Sequence, residues 1–236
     1  MIFIAGGALA FFFEFLLLAK KPKSMSDKIL TFWMFIIGLH LFLYYFNFKG
    51  IDIKYPHLLG IALPLPLIHG PLLFLYTGSL TNYFQKWKPI YFLHFLPVII
   101  FYGNYFNFFI LSGQEKIEFV RKLSVTPDIF QLFFLPAIII SGFSYIIITF
   151  LLFRKHRRNI LNNLSNSNEE NNLHWLRNLL IGLLVIWLVV LFDNLVLDSS
   201  LKDQGIYVSV SLFVAFIGFF GLRQGNIFIN LPNGSL

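Results

Sequence analysis

Apolar runs alternate with short polar connectors along almost the whole chain. Seven runs come close to the roughly 20 mainly apolar residues that a helix needs to cross a bilayer. They are Ile2–Ala19, Ile29–Phe48, Leu58–Leu80, Ile90–Phe109, Ile129–Phe153, Leu176–Leu197 and Ile206–Leu222. The connector KKPKSMSDK follows the first run and NYFQKWK follows the third. The longest polar stretch, RKHRRNILNNLSNSNEENNLHW, follows the fifth. The pattern predicts an all-α membrane protein, a bundle of seven transmembrane helices over residues 1–228, with 229–236 as a tail or the start of a linker.

The third run is anomalous. Between Leu63 and Tyr76 it reads LPLPLIHGPLLFLY, with Pro64, Pro66, Gly70 and Pro71 around His69. A helix confined to Leu72–Leu80 would be about 14 Å long, too short to cross. The residues before Pro71 therefore lie at membrane depth as well. Each proline withholds an amide hydrogen from the carbonyl four residues earlier, here Gly60, Ala62 and Leu67. Irregular backbone at that depth is tolerated only against protein or a wet cavity. The run is expected to be a third helix broken by its prolines, with His69 facing the bundle interior. A kink that only sets packing is the alternative.

Composition strengthens the membrane reading. Of 236 residues, 57% are hydrophobic, 19% aromatic and 12% charged, where a soluble domain carries about 25% charged residues. The net charge of +7 raises the possibility of a nucleic-acid partner. The basic residues, however, sit in clusters between apolar runs, as membrane topology requires. Twelve lysines and arginines fall on the side of the 1–2, 3–4 and 5–6 connectors and the C-terminal end, against six on the other side. The richer side is expected to be cytoplasmic, which puts the N-terminus outside and the C-terminus inside. The first run carries Glu14 and is followed by lysines, so it reads as an uncleaved span rather than a signal peptide. With no cysteine in the chain, disulfides, thiolate metal sites and a cysteine nucleophile are excluded.

Ionisable groups inside spans are costly and usually face the bundle interior. From a rise of about 1.5 Å per residue, Glu14 lies ~18 Å from the outer end of span one. By the same measure His40 lies ~17 Å from the inner end of span two, and His69 ~17 Å from the outer end of span three. All three fall near the midplane of a ~30 Å core. His94 sits near the inner boundary of span four, and Asp193 with Asn194 toward the outer end of span six. Glu14, His40 and His69 are candidates for a ligand pocket, with Tyr76, Asp193 and Asn194 as further candidates and Pro64, Pro66, Gly70 and Pro71 shaping it. Interhelical hydrogen bonds that only hold the packing together are the alternative.

A histidine–carboxylate set would also suit zinc. No span carries two ligands at i, i+4, however, and the repeated histidine spacing of ceramidase-type and adiponectin-receptor-type membrane hydrolases is missing. No lysine lies within a span for a retinal Schiff base, and neither a phosphate-cradling glycine loop nor a nucleophile elbow is present. No catalytic residue, cofactor or metal is assigned.

Several segments together are similar to a known family: SDKILTFWMFIIGLHLFLYY (Ser26–Tyr45), LLGIALPLPLIHGPLLFLYTGSLT (Leu58–Thr81), LHFLP (Leu93–Pro97), WLRNLLIGLLVIWLVV (Trp175–Val190) and GFFGLRQGNIF (Gly218–Phe228). They resemble, in order, the membrane-embedded N-terminal region of the AraC-type helix-turn-helix transcriptional regulators of Bacteroidetes. The resemblance implies a sensor in the bacterial inner membrane that receives an unknown small-molecule or membrane signal. Arg223 and Gln224 would form the exit toward a cytoplasmic DNA-binding output. By analogy it also raises a homodimer. After Phe228 this sequence holds only INLPNGSL, so direct nucleic-acid contact is not expected of the residues present, and the bilayer is their main partner. Two other classes stay open: a membrane enzyme or small transporter using Glu14, His40 and His69, and the sensor part of a histidine kinase.

Overall fold

The computed structural model describes residues 2–84, 86, 88–126, 128–162, 167–196 and 204–223, with only the backbone described at 131, 159–162, 167–173, 196 and 218–223. Every regular element among them is helical. The first is α1 (Ile2–Ala19), whose Phe3, Gly6, Gly7, Ala10, Phe13 and Leu17 recur every three or four residues and form its buried stripe. Its partner α2 (Met25–Phe48) begins four residues before the apolar run does. Ser24 caps that start: its side chain accepts from the Asp27 amide at 3.1 Å, and Asp27 Oδ2 accepts from the Ser24 amide at 2.8 Å. Lys20 Nζ donates to Asp27 Oδ1 at 2.8 Å and ties the end of α1 to the start of α2. A cap and an ion pair thus define the turn of the first hairpin.

After α2 come a single turn α3 (Ile51–Lys54) and a 3-10 turn at Pro56–Leu58. The next regular helix, α4, starts only at Pro66 and runs to Leu80. Between the two, the backbone is held by i→i+3 bonds. Leu63 donates to Gly60 at 3.3 Å, Leu65 to Ala62 at 3.1 Å, and Leu67 to Pro64 at 3.1 Å. Gly60 and Ala62, two of the carbonyls that the prolines deprive of helical donors, thus find other donors. Ile61 O accepts from Tyr102 Oη at 2.9 Å. Pro66 is the first helical residue, where a missing amide costs nothing, while Pro71 lies inside the helix.

A 3-10 segment (Pro89–Phe95) leads into α5 (Leu96–Asn104) and the single turn α6 (Phe106–Phe109). The fourth apolar run is therefore a series of short pieces, with Pro89 and Pro97 opening two of them. The connector after it contains an amphipathic helix not anticipated from the sequence, α7 (Gly113–Val125). Then come α8 (Ile129–Asn162), α9 (Ser167–Val196) and α10 (Gln204–Arg223). α8 runs nine residues past the end of its apolar stretch, because RKHRRNILN is polar but contains no helix breaker.

The long helices close into a ring. α1 packs on α2, α2 on α4, α4 on α8, α8 on α9, α9 on α10, and α10 back on α1. The 3-10 segment and α5 lie against α4. Small residues permit the close crossings. A Cβ on Gly70 would stand 2.6 Å from Cδ2 of Tyr145, and one on Gly142 would run into the Trp187 ring.

Among the described residues four helices are long and apolar enough to cross a bilayer: Ile2–Ala19, Met25–Phe48, Leu132–Arg158 and His174–Leu195. Their outward faces display large apolar side chains such as Phe15, Phe133 and Ile140, each about two-thirds exposed. No water-facing surface carries so continuous an apolar coat, and the protein is membrane-embedded. At 15 residues, α4 is only about 22 Å long, short of the ~30 Å core.

Candidate functional site

The helix ring encloses a cavity of about 660 Å³, within the range of small-molecule sites. One face of α2 supplies much of its wall. Trp33, Ile37, His40, Tyr44 and Asn47 all line it, at intervals of four, three, four and three residues, the spacing of a single helical stripe. Facing them are Pro66 and His69 at the start of α4, Ile186 and Val190 on α9, and Tyr207 and Val210 on α10. At the end remote from the α1–α2 turn, Asp52, Leu59 and the α7 residues Phe119 and Leu123 complete the lining.

Four of these rings form one hydrogen-bonded chain. Trp33 Nε1 lies 3.2 Å from His69 Nδ1, His69 Nε2 lies 3.3 Å from His40 Nδ1, and His40 Nε2 lies 3.2 Å from Tyr207 Oη. An indole nitrogen can only donate, so His69 Nδ1 accepts. His69 then carries its proton on Nε2 and donates to His40, whose own proton is on Nε2 and is donated to Tyr207. The two imidazoles stack at 15° with centroids 5.6 Å apart. Tyr44 lies parallel to Tyr207, with centroids at 3.3 Å. The network links α2, α4 and α10 and gives each histidine one tautomer.

A second joint lies toward the α1–α2 turn. Trp175 Nε1 donates to Tyr76 Oη at 2.7 Å, and the Tyr76 ring sits 6.4 Å from that of Trp33. Tyr76 is thus buried beside the cavity wall rather than in it. The six rings from Tyr207 to Trp175 run through α10, α2, α4 and α9.

The other candidates take different places. Glu14 is half-buried on α1, which contributes nothing to the described lining. Gly7 faces Phe42 and the Gly38 carbonyl, which puts His40 level with Gly7 and Glu14 seven residues, about 10 Å, nearer the turn. The depth estimate was too coarse to separate them. Asn194 lines the cavity, and its side chain donates to Val190 O at 2.9 Å. Asp193 is buried with its Oδ1 close to Gly205, outside the lining. Pro64 is buried in the turn segment, while Gly70 and Pro71 pack in α4, Gly70 against Tyr145. His94 shares a 2.8 Å hydrogen bond with Tyr145 Oη and does not reach the cavity. Arg223 is the last residue of α10; Gln224 and the tail at 229–236 lie outside the described residues.

Depth singled out His40 and His69 but missed Trp33, Tyr44, Asn47 and Tyr207. The first three were within reach, since with His40 they repeat at helical spacing along one run. Tyr207 had no such signal, because its meeting with His40 is tertiary. Chemically, the arrangement supplies two neutral imidazoles, hydroxyls and amides in an otherwise apolar and aromatic chamber. Among the described residues no three of His, Cys, Asp or Glu come together as a metal ion requires.

Comparison of the chain with protein-family models, curated proteins and solved structures gives no match.

Proposed function

We propose that the chain is a seven-crossing sensor domain of a bacterial inner membrane that binds a small molecule in its central cavity and passes the occupied state to a cytoplasmic output. The observation that carries this reading is the 660 Å³ chamber with the Trp33–His69–His40–Tyr207 chain along its wall. An occupant there touches α2, α4, α9 and α10 together. It can shift the bundle between two arrangements by binding one of them better.

In this reading α4 with its preceding turns, the 3-10 segment with α5 and α6, and α10 supply three crossings beyond the four long helices. The lysine-rich α1–α2 turn lies on the cytoplasmic side, and the Asp52 end of the cavity faces outward. The signal leaves through α10 at Arg223. The output we propose is the DNA-binding domain of the AraC-type regulators that the segments around LPLPLIHGP resemble. A zinc-dependent hydrolase would need three protein ligands around an open position, and among the described residues the two imidazoles and Asp52 of the cavity do not come together as such a set.

The chain lacks cysteine, so spin labels can be placed at single introduced cysteines. Lys28 and Arg177 are exposed, near the cytoplasmic ends of the second and sixth apolar runs in this topology. Filling the cavity with Val210→Phe is expected to shift the distance distribution between labels at these positions, while the lipid-facing control Phe15→Leu leaves it unchanged. An unaltered distribution in the filled variant would remove the basis for a sensor.

A further inference from the structure

We infer that the cavity takes an organic cation, an ammonium group carried on an apolar or aromatic body, with the ammonium beside Asp52. This inference rests on the cavity being a ligand site. Among the described residues of its lining, Asp52 is the sole carboxylate, and no lysine or arginine lines it. Asp52 is 5% exposed. Among the described residues both donors to it are neutral: Asn47 Nδ2 donates to Oδ2 at 2.7 Å, and the Ile53 amide to Oδ1 at 3.0 Å. Among the described residues no cationic side chain stands at ion-pair distance from it. The nearby lysines engage rings instead. Lys49 lies over Phe48, Lys54 over Tyr55, and Lys116 over Phe108, with Nζ 5.7–5.9 Å from the ring centroids. A carboxylate out of water is costly without an opposite charge, and here the cavity is the open side from which one can come.

The surrounding surface selects the kind of cation. Tyr44 lies one helical turn before Asn47 with its ring against Tyr207, and Phe119 lines the same cavity beside Phe108, whose ring carries Lys116 Nζ at 5.7 Å. Aromatic faces attract ammonium groups, quaternary ones included. A bare calcium or magnesium ion wants six or more oxygen ligands, and this wall is mostly carbon. An anionic ligand would meet Asp52 with like charge. The apolar body then runs along the α2 stripe toward His69, where the wall is aliphatic and aromatic.

The ammonium could belong to a soluble amine or to a lipid headgroup, and the test separates these sources. The full chain is purified in dodecyl maltoside, a neutral detergent without nitrogen. Binding is read from tryptophan fluorescence and the thermal midpoint. One arm compares 4-phenylbutyltrimethylammonium, its carbon isostere 5,5-dimethylhexylbenzene and 5-phenylpentanoate. The other compares phosphatidylethanolamine with phosphatidylglycerol. The ammonium member of at least one arm is expected to bind about tenfold tighter than its counterpart, with Asp52→Asn abolishing that preference. The arm that responds identifies the source. Equal binding of the isostere, with no lipid preference, overturns the cation and leaves the cavity reading in place. A preference that survives Asp52→Asn overturns the role of Asp52 and with it the inference. If Asp52→Asn does not fold, the wild-type ranking of the ligands decides alone.

Discussion

Trp33 donates its indole hydrogen to Nδ1 of His69 across 3.2 Å, and this one bond orients everything attached to His69. Removing the donor leaves a ring nitrogen facing a ring that cannot bond to it. Trp33→Phe is therefore expected to lower stability by about 1–2 kcal/mol, seen as a lower thermal midpoint in nanodiscs. The lipid-facing control Phe12→Leu should lie close to wild type. An unchanged midpoint in Trp33→Phe would mean that the chain of rings contributes nothing to the fold.

Tyr102 satisfies the Ile61 carbonyl at 2.9 Å, within the turn segment that the prolines leave without helical bonds. Hydrogen bonds inside membrane bundles average about 0.6 kcal/mol and reach about 1.7. Tyr102→Phe should cost toward the upper end of that range, because the carbonyl has no helical donor to return to. Equilibrium unfolding in mixed micelles measures it, and a loss below about 0.3 kcal/mol would argue that water or another donor already serves Ile61.

The α4–α8 crossing depends on a missing side chain. A methyl at position 70 would stand 2.9 Å from Cβ of Tyr145 as well as against its ring, and overpacking of this kind costs about 1–3 kcal/mol. Gly70→Ala should destabilise by that amount. Adding Tyr145→Ser should restore part of it, since the obstructing ring is then gone. Strict additivity of the two substitutions would show that the contact is not the cause.

Outside the membrane segments, hydrogen bonds from the Ser112 side chain and then its amide hold the Glu115 carboxyl below the usual carboxylate range. The Ser112 amide donates to Glu115 Oε2 at 2.9 Å. Because the folded pKa is the lower one, the stabilisation of α7 is complete above the ordinary carboxylate value. It is lost as pH falls through the depressed one. Protection of the α7 amides against hydrogen exchange should therefore weaken in acid in the wild type and lose this pH dependence in Glu115→Gln. Parallel profiles for the two proteins would discount the cap.

Much of the architecture was readable because apolar length is what a bilayer demands. The errors have local causes. α2 starts at Met25 rather than Ile29 because Ser24 and Asp27 cap it, a signal of polar residues that hydropathy passes over. α7 went unseen for the same reason, although Ser112 and Glu115 stand at capping-box spacing ahead of Ile117, Val120 and Leu123. α8 continues past Phe153 because charge ends a membrane run but not a helix. At the site, depth along each span was legible and rotation about each axis was not. Depth points to His40, His69 and Glu14 alike, of which the first two line the cavity and Glu14 does not, and Tyr207 meets His40 only through the packing of α10.

The turn segment ahead of α4 has one more implication. Residues 59–65 cannot be wound onto that helix, since Pro64 and Pro66 bring no amide hydrogen for the extra turns. The helix start is pinned at Pro66, one turn from His69, and cannot creep toward Asp52 as the bundle breathes. The segment acts as a ruler, so in the sensor we propose an occupant would be gauged against a length set by two prolines rather than by the bulk of the side chains it touches.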